Sequence, residues 1–173
     1  DIIKEGNIEK GRNGNTLVTI GSCMHFSLKD NKIPILTTKK TAWKTCLKEL
    51  LWFIKGQTSN KILTDQNVHI WDGNSSREFL DSRGLNSYEE GDLGPIYGFQ
   101  WRNFNAKYDT CNNDYSHYGI DQLQEVINTL KDPEKRTSRR MIVSAWNPCQ
   151  LNEMALPPCH VLMQFHVSDN KYL

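Results

Sequence analysis

The sequence predicts an α+β fold in which helices pack on a sheet, and two observations support this prediction. Residues 41–55 and 119–131 repeat apolar side chains at the spacing of amphipathic helices. Residues 17–28, 141–146 and 161–167 alternate or concentrate apolar side chains as strands do. Helices and strands interleaved within 173 residues are typical of one layered domain with its own core.

The first part of the chain is expected to alternate loops and strands. Residues 6–16 are rich in glycine and asparagine, which predicts a polar loop. The strand over residues 17–28 follows it, with Gly21 as a bulge. A second short strand is predicted over residues 67–71, and the polar, charged residues 72–92 are predicted to form another loop.

The helix predicted over residues 41–55 contains a carboxylate in an unusual position. Its apolar stripe comprises Trp43, Leu47, Leu50, Leu51 and Ile54. On the helical wheel Glu49 falls inside the wider apolar arc, between Trp52 and Phe53. Because an ionised acid is costly to remove from water, Glu49 is either half of a buried ion pair or a general acid or base lining a cleft. The helix alone favours neither interpretation.

A constrained turn is predicted at residues 94–98, where two glycines and a proline restrict the backbone around Tyr97. The second amphipathic helix, over residues 119–131, is expected to end at Asp132, because the residue before a proline avoids the helical conformation. The turn therefore holds Tyr97 in one place, and the helix is expected to cover the sheet.

A single thiol follows two prolines near the end of the sequence. Pro157 and Pro158 have a fixed φ and no N–H, so neither a helix nor a central strand runs through them. Cys159 is therefore held at a rigid junction before the strand over residues 161–167, which suits a nucleophile. The alternative, that it is a small buried hydrophobe, is commoner among free cysteines. His160 is not a ready-made base, because neighbouring strand residues face opposite ways.

The composition excludes several classes of protein. There are 21 Lys and Arg against 20 Asp and Glu, and this net charge of +1 is not typical of a general nucleic-acid binder. The five cysteines lack the CxxC spacing of zinc sites and fit a reducing compartment better than a disulfide framework. No apolar run reaches membrane-spanning length, and the first residues do not form a signal peptide. The chain lacks an initiator methionine, so we expect it to begin inside a longer product.

Seven segments of the chain match one protein family in the same order. They are Ile35–Lys40, Glu49–Gly56, Ile70–Asp72, Gly91–Arg102, Ser138–Arg140, Ser144–Pro148 and Met154–His160. These segments resemble those of thymidylate synthases, and the match extends over essentially the whole chain. The resemblance implies a thymidylate synthase-like α+β fold with a mixed sheet and packed helices, and a homodimer whose subunits meet sheet to sheet. The family continues past the position of Leu173, so residues 1–173 are expected to be a synthase domain that is incomplete at the C-terminus.

The resemblance also implies an activity in nucleotide biosynthesis. Such an enzyme is a cytoplasmic methyltransferase that converts dUMP to dTMP, with 5,10-methylenetetrahydrofolate as co-substrate and no metal. Cys159 would add to carbon 6 of the uracil, and carbon 5 would then capture the folate methylene group. Loss of the carbon-5 proton, elimination of the folate and hydride transfer from it would complete the methyl group. A thiolate suits this role because it is strongly nucleophilic near neutral pH and also leaves readily.

Further site residues are implied by the same resemblance. Glu49 would be the buried acid that acts on the pyrimidine ring through ordered water. Tyr97 would help to remove the carbon-5 proton, although a packed aromatic in a tight turn is the alternative. His160 would belong to the network of ordered water. The folate pocket would be lined by Ile70, Trp71 and Asn74.

Arginines are expected to bind the phosphate of the nucleotide, because each guanidinium offers paired donors to an anion. The resemblance matches Arg12 to the phosphate-binding arginine of the family's N-terminal loop, and Arg139 and Arg140 to a pair that reaches across from the other subunit. Neighbouring residues on a strand face apart, so the joint use of Arg139 and Arg140 requires a loop. The alternative is an ordinary solvated run of basic residues.

Two other functions stay open on the sequence alone. A pyrimidine nucleotide hydroxymethylase of the same fold would use the same thiol and folate, with water instead of hydride completing the reaction. An inactive fragment of a bifunctional dihydrofolate reductase–thymidylate synthase would bind a partner chain without catalysis. The residue that separates uracil from cytosine in this family lies past the position of Leu173.

Overall fold

A computed structural model of the chain describes residues 2–11, 14–168 and 171–172. Its contacts divide the chain into two units, residues 1–41 and 42–173. Short helices and antiparallel strand pairs alternate along the chain, so the predicted α+β class is confirmed. None of the helices in the described ranges is long and apolar enough to cross a membrane.

The first unit contains a strand pair where the sequence predicted a loop. Helix α1 (Ile2–Glu5) precedes strands β1 (Asn7–Gly11) and β2 (Gly14–Val18), which pair antiparallel. The loop predicted over residues 6–16 is therefore wrong. Gly14 has a φ of 114°, which a glycine adopts without the steric cost that a side chain would add, so a glycine-rich stretch can form a tight strand pair.

The strand predicted over residues 17–28 is wrong beyond the end of β2. The chain continues irregularly to a single 3₁₀ turn, Lys29–Asn31. The apolar residues that were expected to face a core, among them Ile20, Met24 and Phe26, are largely exposed. An alternating pattern stabilises a strand only where a neighbouring surface covers one face, and no described element within the first unit covers this one.

The first long helix is close to its predicted position. Helix α2 (Trp43–Ile54) lies within the predicted range of residues 41–55. Gly56 follows it with a φ of 71°, a left-handed conformation that favours glycine at the end of a helix. The buried residues of α2 are Trp52 and Phe53, so these two aromatic side chains fix the helix to the core.

The apolar stripe predicted for α2 is not the buried side of the helix. Its residues are between 38% and 51% exposed: Trp43, Leu47, Leu50, Leu51 and Ile54. Helix α2 instead packs on α3 (Lys61–Thr64) and α6 (Tyr97–Asn103), and the Phe53 ring lies 5.5 Å from that of Trp101 in α6. The neighbouring helices, rather than the helical pattern, decide which side of α2 is covered.

The region after α3 contains helical turns where the sequence predicted a strand and a loop. The strand predicted over residues 67–71 is wrong, since Asn67 has a φ of 59° and interrupts any extended run. The loop predicted over residues 72–92 is wrong in part, because helices α4 (Asp72–Ser75) and α5 (Arg77–Ser82) lie within it. The serine before α5 caps this helix by accepting a backbone N–H.

The second long helix and the following strand are also near their predicted positions. Helix α7 (Gln122–Lys131) begins three residues later than predicted, because the side chain of Asp121 accepts a backbone N–H of its first turn. Strand β3 (Ile142–Ser144) pairs antiparallel with β4 (Leu162–Gln164). Helix α7 packs on β3 and α6, so these elements cover one another as the sequence predicted for helices on a sheet.

The strand predicted over residues 161–167 is divided in two. After β4 the Phe165 N–H donates to the carbonyl of Met141 at 2.9 Å, and β5 (Val167–Ser168) then pairs with β6 (Lys171–Tyr172). The described strands thus form three separate antiparallel pairs instead of the expected mixed sheet. The pairs β1–β2 and β5–β6 join strands that are only a few residues apart, as antiparallel pairing allows, whereas residues 145–161 lie between β3 and β4.

Aromatic side chains dominate the core of the second unit. The rings of Phe53 and Tyr97 lie 4.7 Å apart, those of Trp52 and Trp71 6.4 Å apart, and the Trp71 and Tyr97 rings meet edge to face at 6.2 Å. Such pairs contribute about 0.5–1.5 kcal/mol each beyond the burial of their area. The core therefore holds Trp71 and Tyr97, two of the predicted site residues, in fixed positions.

Candidate active site

Cys159 lies at the junction that the two prolines predict. Its side chain is exposed, so it is not the small buried hydrophobe of the commoner interpretation. Its backbone N–H donates to the hydroxyl oxygen of Tyr97 at 2.5 Å. The thiol is thus presented to solvent from a backbone that Pro157, Pro158 and this hydrogen bond restrain.

Tyr97 is the first residue of α6 and is almost fully buried. Its ring packs against Phe53, Trp71 and His160, the last at 5.7 Å. Burial raises the pKa of its phenol, and the backbone N–H groups of Cys159 and His160 oppose this shift only in part. The hydroxyl is therefore protonated near neutral pH and can donate this proton to a ligand bound beside Cys159.

His160 follows Cys159 and is exposed. Its ring lies 5.7 Å from that of Tyr97 at a tilt of 52°, and no hydrogen bond joins it to the Cys159 thiol among the described residues. Its expected role in a network of ordered water, rather than as a base for the thiol, stays a prediction.

Glu49 is half-buried and accepts a hydrogen bond from the indole N–H of Trp71, at 2.7 Å from its Oε1. No basic side chain among the described residues lies within ion-pairing distance of it. The buried ion pair that the helical wheel allowed is therefore not formed there. A carboxylate held by one neutral donor keeps a second oxygen with which to exchange protons with a ligand or with water.

The residues predicted to line a folate pocket lie at the start of α4. Trp71 is 6% exposed and joins Glu49 to Tyr97, whereas Ile70 is half exposed and Asn74 is half-buried. Asp72 attaches this segment to its surroundings, because its carboxylate accepts hydrogen bonds from Asn60 and His69 at 2.8 and 2.9 Å. Hydrogen bonds from the Asn60 amide and from His69 lower the pKa of Asp72.

The predicted phosphate arginines do not meet the thiol through any described contact. Arg139 and Arg140 lie in an exposed turn before β3, which is the loop that their joint use requires. Their guanidinium groups make no hydrogen bond or ion pair with another described residue, so both are available to an anion. Arg12 lies outside the described residues.

A comparison with known proteins identifies the family. A family model described as thymidylate synthase matches residues 1–173. The chain belongs to the thymidylate synthase family. A bifunctional dihydrofolate reductase-thymidylate synthase from Leishmania major is 51% identical to it over 170 residues, which is 98% of this chain and 32% of the relative.

Other relatives bear related names. The bifunctional dihydrofolate reductase-thymidylate synthase of Glycine max is 54% identical over 173 residues, or 99% of this chain and 32% of the relative. A probable thymidylate synthase from Schizosaccharomyces pombe is 56% identical over 147 residues, or 84% of this chain and 23% of the relative. The chain thus spans about a third or less of the length of these curated relatives.

One well-formed cavity in this thymidylate synthase family chain lies away from the predicted site. It has a volume of about 610 Å³ and is lined mainly by residues 55–58, 102–103 and 111–121. None of the predicted catalytic or folate residues lines it. Cavity size usually indicates a ligand site. We place the candidate site at Cys159 instead, because an exposed thiol, a phenol and a carboxylate are connected there through Trp71.

Sequence reasoning missed one residue that connects to this site. Asp92 is 1% exposed, and its carboxylate is bound by Tyr108, Gly94 and Cys111. Asp92 stands in a polar stretch of sequence that looks like an ordinary turn. The Gly94-Pro95 pair that follows was the signal that this turn is held in one conformation and needs an anchor. Asp92 is also the point at which the turn before Tyr97 is anchored.

Proposed function

We propose that the polypeptide carrying residues 1–173 converts dUMP to dTMP with 5,10-methylenetetrahydrofolate. The observation that supports this most directly is the contact between the Cys159 backbone and the Tyr97 hydroxyl in a chain of the thymidylate synthase family. Because the relatives are about three times as long as the matched region, we also propose that these residues form the first part of a synthase domain in a longer polypeptide.

The proposed reaction begins with addition of the Cys159 sulfur to carbon 6 of the uracil. The new C–S bond takes the electron pair of the thiolate, and the displaced pair of the ring moves toward carbon 5 and the carbonyl oxygen at carbon 4. Carbon 5 then forms a bond to the methylene carbon of the folate as one of the two C–N bonds of that carbon breaks. Loss of the carbon-5 proton and breakage of the second C–N bond release tetrahydrofolate and leave an exocyclic methylene group on the ring. A hydride from tetrahydrofolate adds to this group, which completes the methyl group and leaves dihydrofolate, and the electron pair of the exocyclic double bond moves into the ring. Expulsion of the thiolate restores the ring double bond and frees Cys159.

Tyr97 and Glu49 are proposed to handle the protons of this sequence. The neutral hydroxyl of Tyr97 lies beside the backbone of Cys159, so it can relay the carbon-5 proton by releasing its own proton to a water molecule as it accepts the one from carbon 5. The carboxyl group of Glu49, oriented by Trp71, can exchange a proton with a water molecule that contacts the ring, donating as the acid and accepting as the carboxylate. Their separate attachments to Trp71 keep the two groups at fixed positions relative to each other.

The folate is proposed to bind against the surface at the start of α4. Ile70 and the edge of Trp71 offer an apolar wall, and Asn74 offers an amide for polar contacts.

All five cysteines are free thiols, which supports the proposed reducing, cytoplasmic location.

The proposed function is tested by incubating the full-length polypeptide with dUMP and methylenetetrahydrofolate. We expect dihydrofolate to form, as followed by absorbance, only when both substrates are present, and the nucleotide product to be dTMP by mass spectrometry. A hydroxymethylated nucleotide without dihydrofolate would assign the hydroxymethylase activity instead. Nucleotide binding without any turnover would support the inactive-fragment alternative.

We also propose that Arg139 and Arg140, which are exposed and whose guanidinium groups make no hydrogen bond or ion pair with another described residue, bind the phosphate of the other subunit in a homodimer. We expect two inactive variants, Cys159→Ser and Arg139→Ala/Arg140→Ala, to recover activity when their subunits exchange. One of the two sites in a mixed dimer then has an intact thiol together with intact arginines from its partner. At full exchange from equal amounts, about a quarter of the wild-type activity is expected, since half of the dimers are mixed and each has one intact site.

Subunit exchange in that experiment is monitored independently by mass spectrometry of differently labelled chains. The control is a mixture of Cys159→Ser with wild type, in which activity follows the number of intact thiols. Complete exchange without recovered activity would show that each subunit binds its own phosphate.

A further inference from the structure

Asp92 is a buried carboxylate that the proposed reaction does not use directly. Its Oδ1 accepts hydrogen bonds from the Tyr108 hydroxyl at 2.6 Å and the Gly94 N–H at 2.9 Å, and its Oδ2 accepts one from the Cys111 N–H at 2.8 Å. No basic side chain among the described residues lies within ion-pairing distance. Three converging donors therefore hold the group in one orientation.

The groups around Asp92 are kept in their hydrogen-donating or neutral forms. Burial and the charge of Asp92 raise the pKa of the Tyr108 phenol, so its hydroxyl stays protonated and donates. Burial, and then the same charge, raise the pKa of the Cys111 thiol to about 11. The Tyr108 hydroxyl and the Cys111 thiol thus both stay protonated through neutral pH.

The turn that Asp92 supports is also attached to the segment that leads to Cys159. The carbonyl of Leu93 accepts a hydrogen bond from the Ala155 N–H at 3.0 Å. Gly94 has a φ of 74°, and a Cβ atom built on it would lie 2.1 Å from the carbonyl oxygen of Glu153. Any shift of the Leu93–Gly94 backbone is therefore transmitted to residues only a few positions before the thiol.

The same turn leads directly into Tyr97. The Gly94 carbonyl accepts the Ile96 N–H at 2.8 Å, and Ile96 stands immediately before Tyr97 at the start of α6. The Tyr97 hydroxyl then meets the Cys159 N–H across 62 positions of sequence. The turn beside Asp92 is thus connected to both members of this pair.

We propose that Asp92 is a positioning residue that holds Tyr97 and Cys159 in their mutual geometry. This proposal rests on the proposed function, since it assigns a role in that reaction. Removal of the Asp92 charge would loosen the Gly94 N–H and Tyr108 contacts together. Misplacement of two reacting groups by about 1 Å is enough to cost about 100-fold in rate.

The test compares Asp92→Asn and Tyr108→Phe with a matched control, Tyr115→Phe, in the full-length polypeptide. Tyr115 stacks on Tyr108 at 5.5 Å, and its hydroxyl bonds only to the backbone of Asp109 and Thr110 among the described residues. Its replacement removes a comparable tyrosine hydroxyl from the same aromatic cluster without touching Asp92. A loss of stability alone is therefore expected in the control.

We expect kcat to fall about 10- to 100-fold in Asp92→Asn and about 3- to 10-fold in Tyr108→Phe, with KM for dUMP within about threefold of wild type. The kinetic isotope effect on kcat, measured with deuterium at carbon 5 of dUMP, should rise in both Asp92→Asn and Tyr108→Phe. The reason is that removal of the carbon-5 proton becomes slower than the other steps. Tyr115→Phe should keep the wild-type kcat and isotope effect even if its Tm falls.

A wild-type kcat and isotope effect in Asp92→Asn would overturn the positioning role and leave the proposed function intact. Absence of dTMP formation by the wild-type polypeptide would instead overturn the proposed function. If Asp92→Asn does not fold, Tyr108→Phe tests the positioning role by itself. This variant keeps the carboxylate and its hydrogen bonds from the N–H groups of Gly94 and Cys111. An unchanged isotope effect in that variant would reject the proposal.

Discussion

Replacement of Cys159 by serine is expected to lower the turnover of the full-length polypeptide by at least about 10⁴-fold. A serine hydroxyl is a far weaker nucleophile than a thiolate near neutral pH, so the covalent route to the carbon-5 nucleophile is lost. The fold should be unaffected, because the side chain of Cys159 is exposed and its contact with Tyr97 is made by the backbone. Turnover is measured as dTMP formed, and the fold is checked by circular dichroism and Tm.

A second measurement locates the nucleophile. With 5-fluoro-dUMP and methylenetetrahydrofolate, the fluorine at carbon 5 prevents completion of the reaction, and the covalent adduct should be found on the peptide that contains Cys159. Cys149→Ser is the matched control, because Cys149 is also an exposed thiol near a proline and should keep full activity. An adduct on Cys149 or Cys46 would contradict the assignment of Cys159.

Replacement of Glu49 by glutamine is expected to cost about 10²- to 10⁴-fold in turnover, the usual contribution of a positioned acid or base. The amide oxygen of glutamine can still accept the hydrogen bond from the Trp71 indole, so the geometry around the site is kept. What is lost is the ability to take up and release a proton. The free energy of unfolding should therefore change by less than about 1 kcal/mol.

Glu125→Gln is the matched control for this change. Glu125 is an exposed carboxylate on α7, and the same substitution there should alter neither turnover nor Tm. Steady-state kinetics and thermal unfolding of the three proteins separate a chemical role from a structural one. Normal turnover by Glu49→Gln would show that the carboxylate serves only to hold Trp71.

Local patterns in the sequence were sufficient where local physical chemistry decides the conformation. The two long helices follow from their apolar spacing and from the residues that end them, and both are found within or near the predicted ranges, as α2 and α7. The rigid junction at Cys159 follows from the two prolines before it. The strands over residues 17–28 and 67–71 were wrong, because strand formation depends on a partner surface that alternation does not reveal.

The sequence by itself determined which side chains are chemically suited to the site: an isolated thiol after two prolines, a carboxylate within an apolar arc and a tyrosine in a constrained turn. Only the tertiary structure decided that they meet. Glu49 reaches Trp71 across 22 positions, Tyr97 reaches Cys159 across 62, and Asp92 takes its donors from residues up to 19 positions away. Periodicity and turn chemistry describe a residue's neighbours along the chain, whereas these hydrogen bonds depend on which helices and turns pack together.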